Sequence, residues 1–308
     1  MNTEIDIKNG HSVDFLLSEL QNFQEIARHI KPSSGETPSI PGIDVYGEVI
    51  PYNGIVGGDH IVYVDFNKRY DLDHRIQVAQ SQNRHDIVEK LLLNKRRAGV
   101  LVADAAGHNI TDALLTAMLH QAFLTAVQYD LKYHGEVTIG LFEILNTRFF
   151  NSSSITKFIT LIYGEIWDNG DFRFVSAGHP PPVVFSNKYE KLIKICNKQI
   201  VNFPPIGTLP SSDDIDSRLH FSHLGYKKRY SINSINLMGW GDILLLYTDG
   251  FSEHSDAQGN EYFPDRVEET LKRIKNNSAR DIYFRLKDDL LAFGKSEDDI
   301  TFVVIKKV

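Results

Sequence analysis

The stretch Ala98–Met118 (A-G-V-L-V-A-D-A-A-G-H-N-I-T-D-A-L-L-T-A-M) narrows the choice of fold more than any other part of the chain. An apolar run, Val100 to Ala103, ends on a single carboxylate, Asp104. A turn of small residues follows, Ala105-Ala106-Gly107. Asn109 or Thr111 then stands where a helix N-cap is expected. The helix after it is apolar on nearly every side. A buried strand thus delivers one acid at its tip, on rigid backbone and beside a helix start. Such an arrangement suits the holding of a metal or a phosphate. Alone the pattern is weak, because Asp is also a common turn residue. It gains weight because other stretches end in the same way. Asp59 follows the paired glycines of V-G-G-D, Asp249 follows the apolar run Ile243–Tyr247, and Asp298-Asp299 precede the apolar run Phe302–Ile305.

Composition limits what such a chain can do. With 308 residues, 42% of them apolar, it can bury one large core, or one core plus an extension. Acidic residues outnumber basic ones, giving a formal net charge of −7, and no Lys/Arg-rich block stands out, so nucleic acid is not an expected partner. Cys196 is the only cysteine, which leaves neither a disulfide framework nor a cysteine-based zinc site. No apolar run reaches the length of a membrane span, and M-N-T-E-I-D lacks the basic and apolar parts of a signal peptide. The expectation is a cytoplasmic protein without membrane contact.

Leu16, Leu20, Phe23, Ala27 and Ile30 are spaced 4, 3, 4 and 3, so Val13 to Ile30 is expected to be a helix. It lies either on its own domain or serves as a dimerising or signal-receiving element, making a homodimer one reading. No sensor domain precedes residue 13, so a signal is expected to arrive through a partner or this short N-terminus. Lys31 to Gly42 reads as a linker from its Pro, Ser and Gly content. Residues 1–42 therefore form an N-terminal helix and linker, and 43–308 a single domain.

Two alternating strands are expected at 43–51 and 60–66. The polar segment 67–97 is expected to be helical in its second half, with His74 and His85 solvated. A second helix is read at 135–150 and a strand at 156–167. Asp168-Asn169-Gly170-Asp171 is a hairpin turn signal. A-G-H-P-P-P (177–182) forms a rigid corner, with two short strands read between 182 and 195 and Cys196 as a small strand hydrophobe. Residues 197–238 are loop-rich, and the excursion 211–234 is long enough to be functional or mobile. Its Lys227-Lys228-Arg229 cluster is read as solvated. The spacing of Phe263, Val267, Leu271 and Ile274 predicts a helix, and Ser278-Ala279-Arg280-Asp281 is a capping box opening another.

If Asp59, Asp104, Asp249 and Asp298-Asp299 converge, their repulsion needs an offset. Each pair costs about 1 kcal/mol in water at 4 Å and about 4 kcal/mol at the effective dielectric near a protein surface. Hard divalent cations with oxygen ligands, Mg²⁺ or Mn²⁺, answer that need. The number of acids suits two ions, which together can activate a water and clamp a phosphoryl group. The other reading is four unrelated turn aspartates.

The ordered set V-G-G-D (56–59), A-D-A-A-G-H-N (103–109), A-G-H-P-P-P (177–182), L-L-L-Y-T-D-G-F-S-E (244–253) and D-D-I-T (298–301) resembles the SpoIIE/RsbU branch of the PPM (PP2C-type) metal-dependent serine/threonine phosphatases. F-I-T-L-I-Y-G (158–164) and P-P-I-G (204–207) also resemble segments of that branch, and the likeness runs from about Gly42 to the C-terminus. The resemblance implies an α+β fold: a four-layer α/β/β/α sandwich of two antiparallel sheets flanked by helices, here with a short N-terminal helical extension. It implies that Asp104 bridges two Mn²⁺ or Mg²⁺ ions. Asp59 and the Ala105 carbonyl would complete one site, Asp249 and Asp298 the other. Gly58, Gly107, His108, His179 and Asp299 would stand behind these ligands. The implied reaction is hydrolysis of phosphoserine or phosphothreonine on a regulatory protein, such as a STAS-type anti-sigma-factor antagonist, switched by an upstream partner acting through residues 13–30.

Three departures bear on this. D-A-A-G-H-N replaces the usual D-V-S-G-H-G, the segment between Asp59 and Asp104 is longer than usual, and so is the excursion at 211–234. These leave a rival reading, a low-activity or inactive PPM-fold protein that sequesters a signalling partner. A weaker rival is a hydrolase of small phosphate esters.

Overall fold

In the computed structural model the described residues are 37–52, 57–107, 110–152, 157–195, 200–214, 219, 221–236 and 239–308, with parts of a helix at 15, 17–22 and 25–26. Half of the expected helix 13–30, its Leu16, Phe23, Ala27 and Ile30 among them, lies outside these residues, as do the candidate cap Asn109, His108 and Cys196.

Two five-stranded sheets form the centre. The first runs β1 (Ile43–Ile50), β10 (Ile300–Lys307), β9 (Ile243–Tyr247), β6 (Val183–Ser186), β7 (Lys191–Lys194). The second runs β2 (Asp59–Asp65), β3 (Arg97–Ala105), β4 (Ile159–Trp167), β5 (Phe172–Ala177), β8 (Asn233–Ile235). The pairings within both sheets are antiparallel.

Strand alternation explains why the central strands read as unbroken apolar runs. Val100 and Val102 of β3 point between the sheets, where they meet Ile61, Phe174, Leu244, Leu246 and Val303. Leu101, Ala103 and Ala105 point the other way, onto helices. Likewise Leu244 and Leu246 of β9 face the inter-sheet core, while Ile243, Leu245 and Tyr247 face the helices outside. A strand covered on both faces has no solvent side to mark with polar residues.

The second sheet is covered by α4 (Ile110–Tyr133), α5 (Ile139–Ser152) and a helical insertion of α1 (Phe66–Arg69), α2 (Leu72–Ser81) and α3 (His85–Asn94). The first sheet is covered by α7 (Asp265–Ile274) and α8 (Ala279–Phe293), while α6 (Asp249–Ser252) is a single turn at the end of β9. The result is the expected α/β/β/α sandwich.

Several local expectations needed adjustment. The insertion is helical in both halves, not only the second, and Asn83 at φ 58 makes the turn between α2 and α3. His74 and His85 sit on these separate helices, both exposed. The helix read from Gly135 begins at Ile139. Gly135 has φ 74, and a Cβ there would lie 2.9 Å from the Ile87 carbonyl, so it serves the turn instead. The described parts of the excursion 211–234 are tied down. Ser211 bridges to Lys227, Asn233–Ile235 adds β8, and Lys227 is buried with its ammonium 3.0 Å from Glu143 and 3.5 Å from the Tyr230 ring centre. Lys227 is therefore an anchor rather than part of a solvated cluster, while Lys228 and Arg229 are exposed. The capping box stands as read: Ser278 Oγ accepts from the Asp281 N–H at 3.1 Å.

Candidate metal centre

Register brings the first two acids together. β2 pairs with β3 so that Asp59 lies opposite Asp104 at the end of both strands. The paired glycines before Asp59 allow this. A Cβ on Gly58 would stand 2.8 Å from the Ala105 carbonyl oxygen and would also strike the Gly107 carbonyl. A Cβ on Gly57 would fall on the Asp299 carboxylate. A larger residue at Gly57 would displace the Asp299 carboxylate, and one at Gly58 would push away the turn that follows Asp104.

The other acids arrive from the first sheet. Asp249 follows β9 and Asp298-Asp299 precede β10, its neighbour in the sheet. The Asp249 carboxylate accepts from the Gly250 N–H at 2.8 Å, and the Asp298 carboxylate accepts from the Asp299 N–H at 2.8 Å. Gly250 is required here because a Cβ would meet the Asp299 carbonyl.

Two connections stitch the sheets at this end. Asp299 is buried, and its two oxygens accept from the Tyr52 N–H at 2.7 Å and the Gly58 N–H at 2.6 Å. It therefore holds the approach to Asp59, whereas Asp298 beside it is exposed. Thr248, fully buried, donates from Oγ1 to Asp59 Oδ2 at 2.8 Å and accepts from the Thr301 N–H at 3.1 Å. Ala105 donates its N–H to the Gly58 carbonyl at 3.1 Å and Ala106 to the Phe158 carbonyl at 2.9 Å, which fixes the turn after Asp104.

The electrostatics report convergence across the seam. Burial pushes the Asp104 carboxyl up to about 8, and the negative charges of Asp249, Asp298, Asp299 and Asp112 add to the effect. Burial raises Asp59 well above the usual carboxylate range. Asp104 and Asp299 raise it further, while hydrogen bonds from Thr301 and Thr248 act in the opposite sense. Asp249 and Asp299 are raised too, chiefly by burial. A group on β3 that feels acids from β9 and β10 lies near them. Among the described residues no three of these side chains close into a ready-made ligand cluster. The donors are all oxygen, and carboxylates held above their ordinary pKa mark a site short of positive charge. Both facts fit hard divalent cations. A cavity of about 280 Å³ opens beside Asp249 and Asp298, lined also by Glu253, His254 and Lys295.

His179 is buried at the corner after β5. Its Nδ1 lies 3.0 Å from Oγ1 of Thr160, the residue paired with Asp104 on β4. Burial lowers its pKa to about 3, with the Tyr247 backbone opposing, so the ring is neutral near pH 7. Gly107 has φ 120 and packs against Asp112, where a Cβ would stand 2.5 Å from Oδ2. The buried helpers Thr248 and Thr301 and the half-buried Thr160 escaped the sequence reading, although the first two lie inside T-D-G and D-D-I-T. Asp112 and Lys157, 45 residues apart, left no signal there at all.

Residues 94–308 match the family of stage II sporulation protein E, SpoIIE. The chain belongs to the SpoIIE family of PP2C-type phosphatases. Phosphoserine phosphatase RsbP of Bacillus subtilis is 28% identical over 174 residues, covering 56% of this chain and 37% of RsbP. The chain thus spans little more than a third of that relative. Among solved structures, the SiaA PP2C domain of Pseudomonas aeruginosa superposes with a TM-score of 0.60 at 16% identity, covering 96% of this chain and 98% of that one. The PP2C domain of Bacillus subtilis SpoIIE, with a fragment of its regulatory domain, superposes with a TM-score of 0.57 at 17% identity, covering 86% and 63%. At these identities the two structures bear on the fold, which is the PP2C fold. Among the described residues of this SpoIIE-family chain no helix is long and apolar enough to cross a membrane.

Proposed function

We propose that this SpoIIE-family chain is a metal-dependent phosphatase that removes phosphate from phosphoserine or phosphothreonine on a regulatory protein. Asp59, Asp104, the Ala105 carbonyl, Asp249 and Asp298 would hold two Mn²⁺ or Mg²⁺ ions. The observation that carries the reading is the state of Asp104, raised to about 8 by burial and by acids delivered from the other sheet. Five acids at one seam make sense where cations are to be held. When bound, two such ions supply a nucleophile near neutral pH and neutralise charge on a phosphoryl group.

The chain's own residues supply the frame. Thr248 orients Asp59 by its hydroxyl, Asp299 clamps the Gly58 amide, and the short β2–β3 register sets Asp59 against Asp104. Such orienting partners are commonly worth a factor of 10–100 in metal affinity or activity. RsbP carries the name phosphoserine phosphatase, which supports a phosphoserine substrate for this chain as well. Membership of the family also supports a partner-switching role, with the dephosphorylated protein as the message and residues 13–30 as a site for upstream input.

The test uses the full chain, a phosphoserine protein or peptide, and a Mn²⁺ titration. Hydrolysis is expected to require added metal, to stop on EDTA, and to fall by at least about a thousandfold in Asp104→Asn, as expected when a group central to the chemistry is lost. Activity that persists in EDTA, or is unchanged in Asp104→Asn, would refute the reading.

A further inference from the structure

A phosphate ester carries close to two negative charges at neutral pH, yet the side chains gathered at this seam are acidic. Even with cations bound, the incoming group gains from a donor on the protein. Among the described residues two lysines border this end of the sheets. Lys295 is exposed and lines the cavity beside Glu253, Glu297 and Asp298. Lys157 is held in place. It precedes Phe158, whose carbonyl accepts the Ala106 N–H at 2.9 Å. Its ammonium pairs with Asp112 Oδ1 and donates to the Ala106 carbonyl at 3.3 Å.

The surroundings explain why this lysine is fixed. The Asp112 side chain is 0% exposed and that of Lys157 is 35% exposed. The carboxylate is thus the buried anchor and the ammonium its outer face. On the other side Asp112 Oδ2 packs against Gly107, which has room for it only because it lacks a Cβ. Asp112, Gly107, Ala106 and Lys157 therefore form one assembly on the turn that directly follows Asp104. An ammonium has three N–H donors. Two of them are taken by Asp112 and Ala106, and the third has no protein acceptor among the described residues. A buried ion pair by itself adds little stability over a well-packed apolar pair, so stability alone does not account for a lysine at this place.

We propose that Lys157, held by Asp112 and the Ala106 carbonyl, binds the phosphoryl oxygens of the substrate through its remaining N–H, with Asp112 as its positioning residue. The proposal deepens the phosphatase reading and rests on it for the identity of the ligand.

The test uses the full chain with saturating Mn²⁺ and inorganic phosphate as the probe. Phosphate binding is measured by calorimetry, alongside competitive inhibition of phosphoserine-peptide hydrolysis. Lys157→Gln is expected to weaken phosphate binding by about ten- to a hundredfold, the effect of losing one charge-assisted hydrogen bond. KM is expected to rise in proportion, with a smaller change in kcat, and the Mn²⁺ midpoint should stay within about twofold. Lys157→Arg should keep phosphate binding within about threefold, because the charge and a donor remain. The double variant Lys157→Gln/Asp112→Asn removes the buried charge together with the lysine. It gives the answer if the single variant does not fold.

Phosphate binding within twofold of wild type in a folded variant that lacks Lys157 overturns the proposal. If the wild type still hydrolyses the peptide, the phosphatase reading survives that result. A wild-type chain that binds no phosphate also overturns the proposal. Phosphate binding that depends on Lys157, without turnover under any metal condition, upholds the lysine's role and removes the phosphatase reading instead.

Discussion

Replacing Thr248 with Val tests whether the hydroxyl bridge between the sheets holds Asp59 in place. Valine fills nearly the same volume, so the change isolates the hydroxyl. In the native chain that hydroxyl donates to Asp59 Oδ2 at 2.8 Å, in preference to the Thr301 carbonyl at 3.4 Å, and accepts from the Thr301 N–H at 3.1 Å. All of this is buried. The variant leaves a buried carboxylate short of a donor and a buried amide short of an acceptor. Each such loss costs about 1–3 kcal/mol, more where the group is charged, so the sum is about 4 kcal/mol. At about 2.1 cal/mol/K per residue, the unfolding entropy of 308 residues is about 0.65 kcal/mol/K, and the melting temperature should fall by about 6 °C. The Mn²⁺ midpoint for activity should rise about ten- to a hundredfold as Asp59 loses its orientation. Thr248→Ser, which restores the hydroxyl, should recover most of both effects. The measurements are calorimetric melting in EDTA and a Mn²⁺ titration of phosphatase activity. A Thr248→Val protein that melts within 1 °C of wild type, with the same metal midpoint, would show that the bridge does not hold Asp59.

Two further outcomes follow from the same structure. Asp104 is raised to about 8, and Asp59 is raised as well, so between the ordinary carboxylate pKa and that value the folded chain keeps protons that the unfolded chain has released. Stability in EDTA should therefore fall as pH rises from about 4 to about 8, by at most about 1.36 kcal/mol per pH unit for each such group, and Mn²⁺ should flatten the slope. Urea midpoints that stay level from pH 5 to 8 in EDTA would contradict this. At the far end of β3, buried Arg97 pairs with Glu165 at 2.8 Å and donates to Asn94 Oδ1 at 2.8 and 2.6 Å. Arg97→Met should cost about 3–5 kcal/mol, because Glu165 is left buried and unpaired. Activity per folded molecule should not change, since Asp104 lies seven residues, or roughly 23 Å, further along the strand. A large loss of kcat in folded Arg97→Met would show coupling along the strand.

Much of the fold, and the gathering of the candidate acids at one seam, were legible because this chain writes its geometry in short runs. V-G-G-D, T-D-G and D-D-I-T each place an acid next to the glycine or threonine that its close packing demands, as Gly58 and Thr248 show. Doubly covered strands such as Ile243–Tyr247 are apolar throughout and announce themselves. Contacts between distant residues left no such mark. Lys157 and Asp112 meet only because β4 lies against the turn after β3, and neither residue has a telling neighbour in sequence. Lys227 read as solvated because it sits in a basic triplet, while its partner Glu143 lies 84 residues away. The helix start at Ile139 was missed because Val137 continues the apolar spacing past a glycine whose positive φ only the turn reveals. The three-residue β8 is too short for any alternation to be seen.

Of the acids at the seam, Asp59 and Asp104 belong to one sheet and Asp249, Asp298 and Asp299 to the other. Neither layer holds all five of these acids. The spacing between the two halves is set by how one slab sits over the other, through interdigitated side chains and a few hydrogen bonds at the rim. A small slide of the slabs, too slight to break a strand or unwind a helix, would pull the halves out of step. Anything that grips the helices on opposite faces of the sandwich therefore has mechanical purchase on the chemistry without touching it.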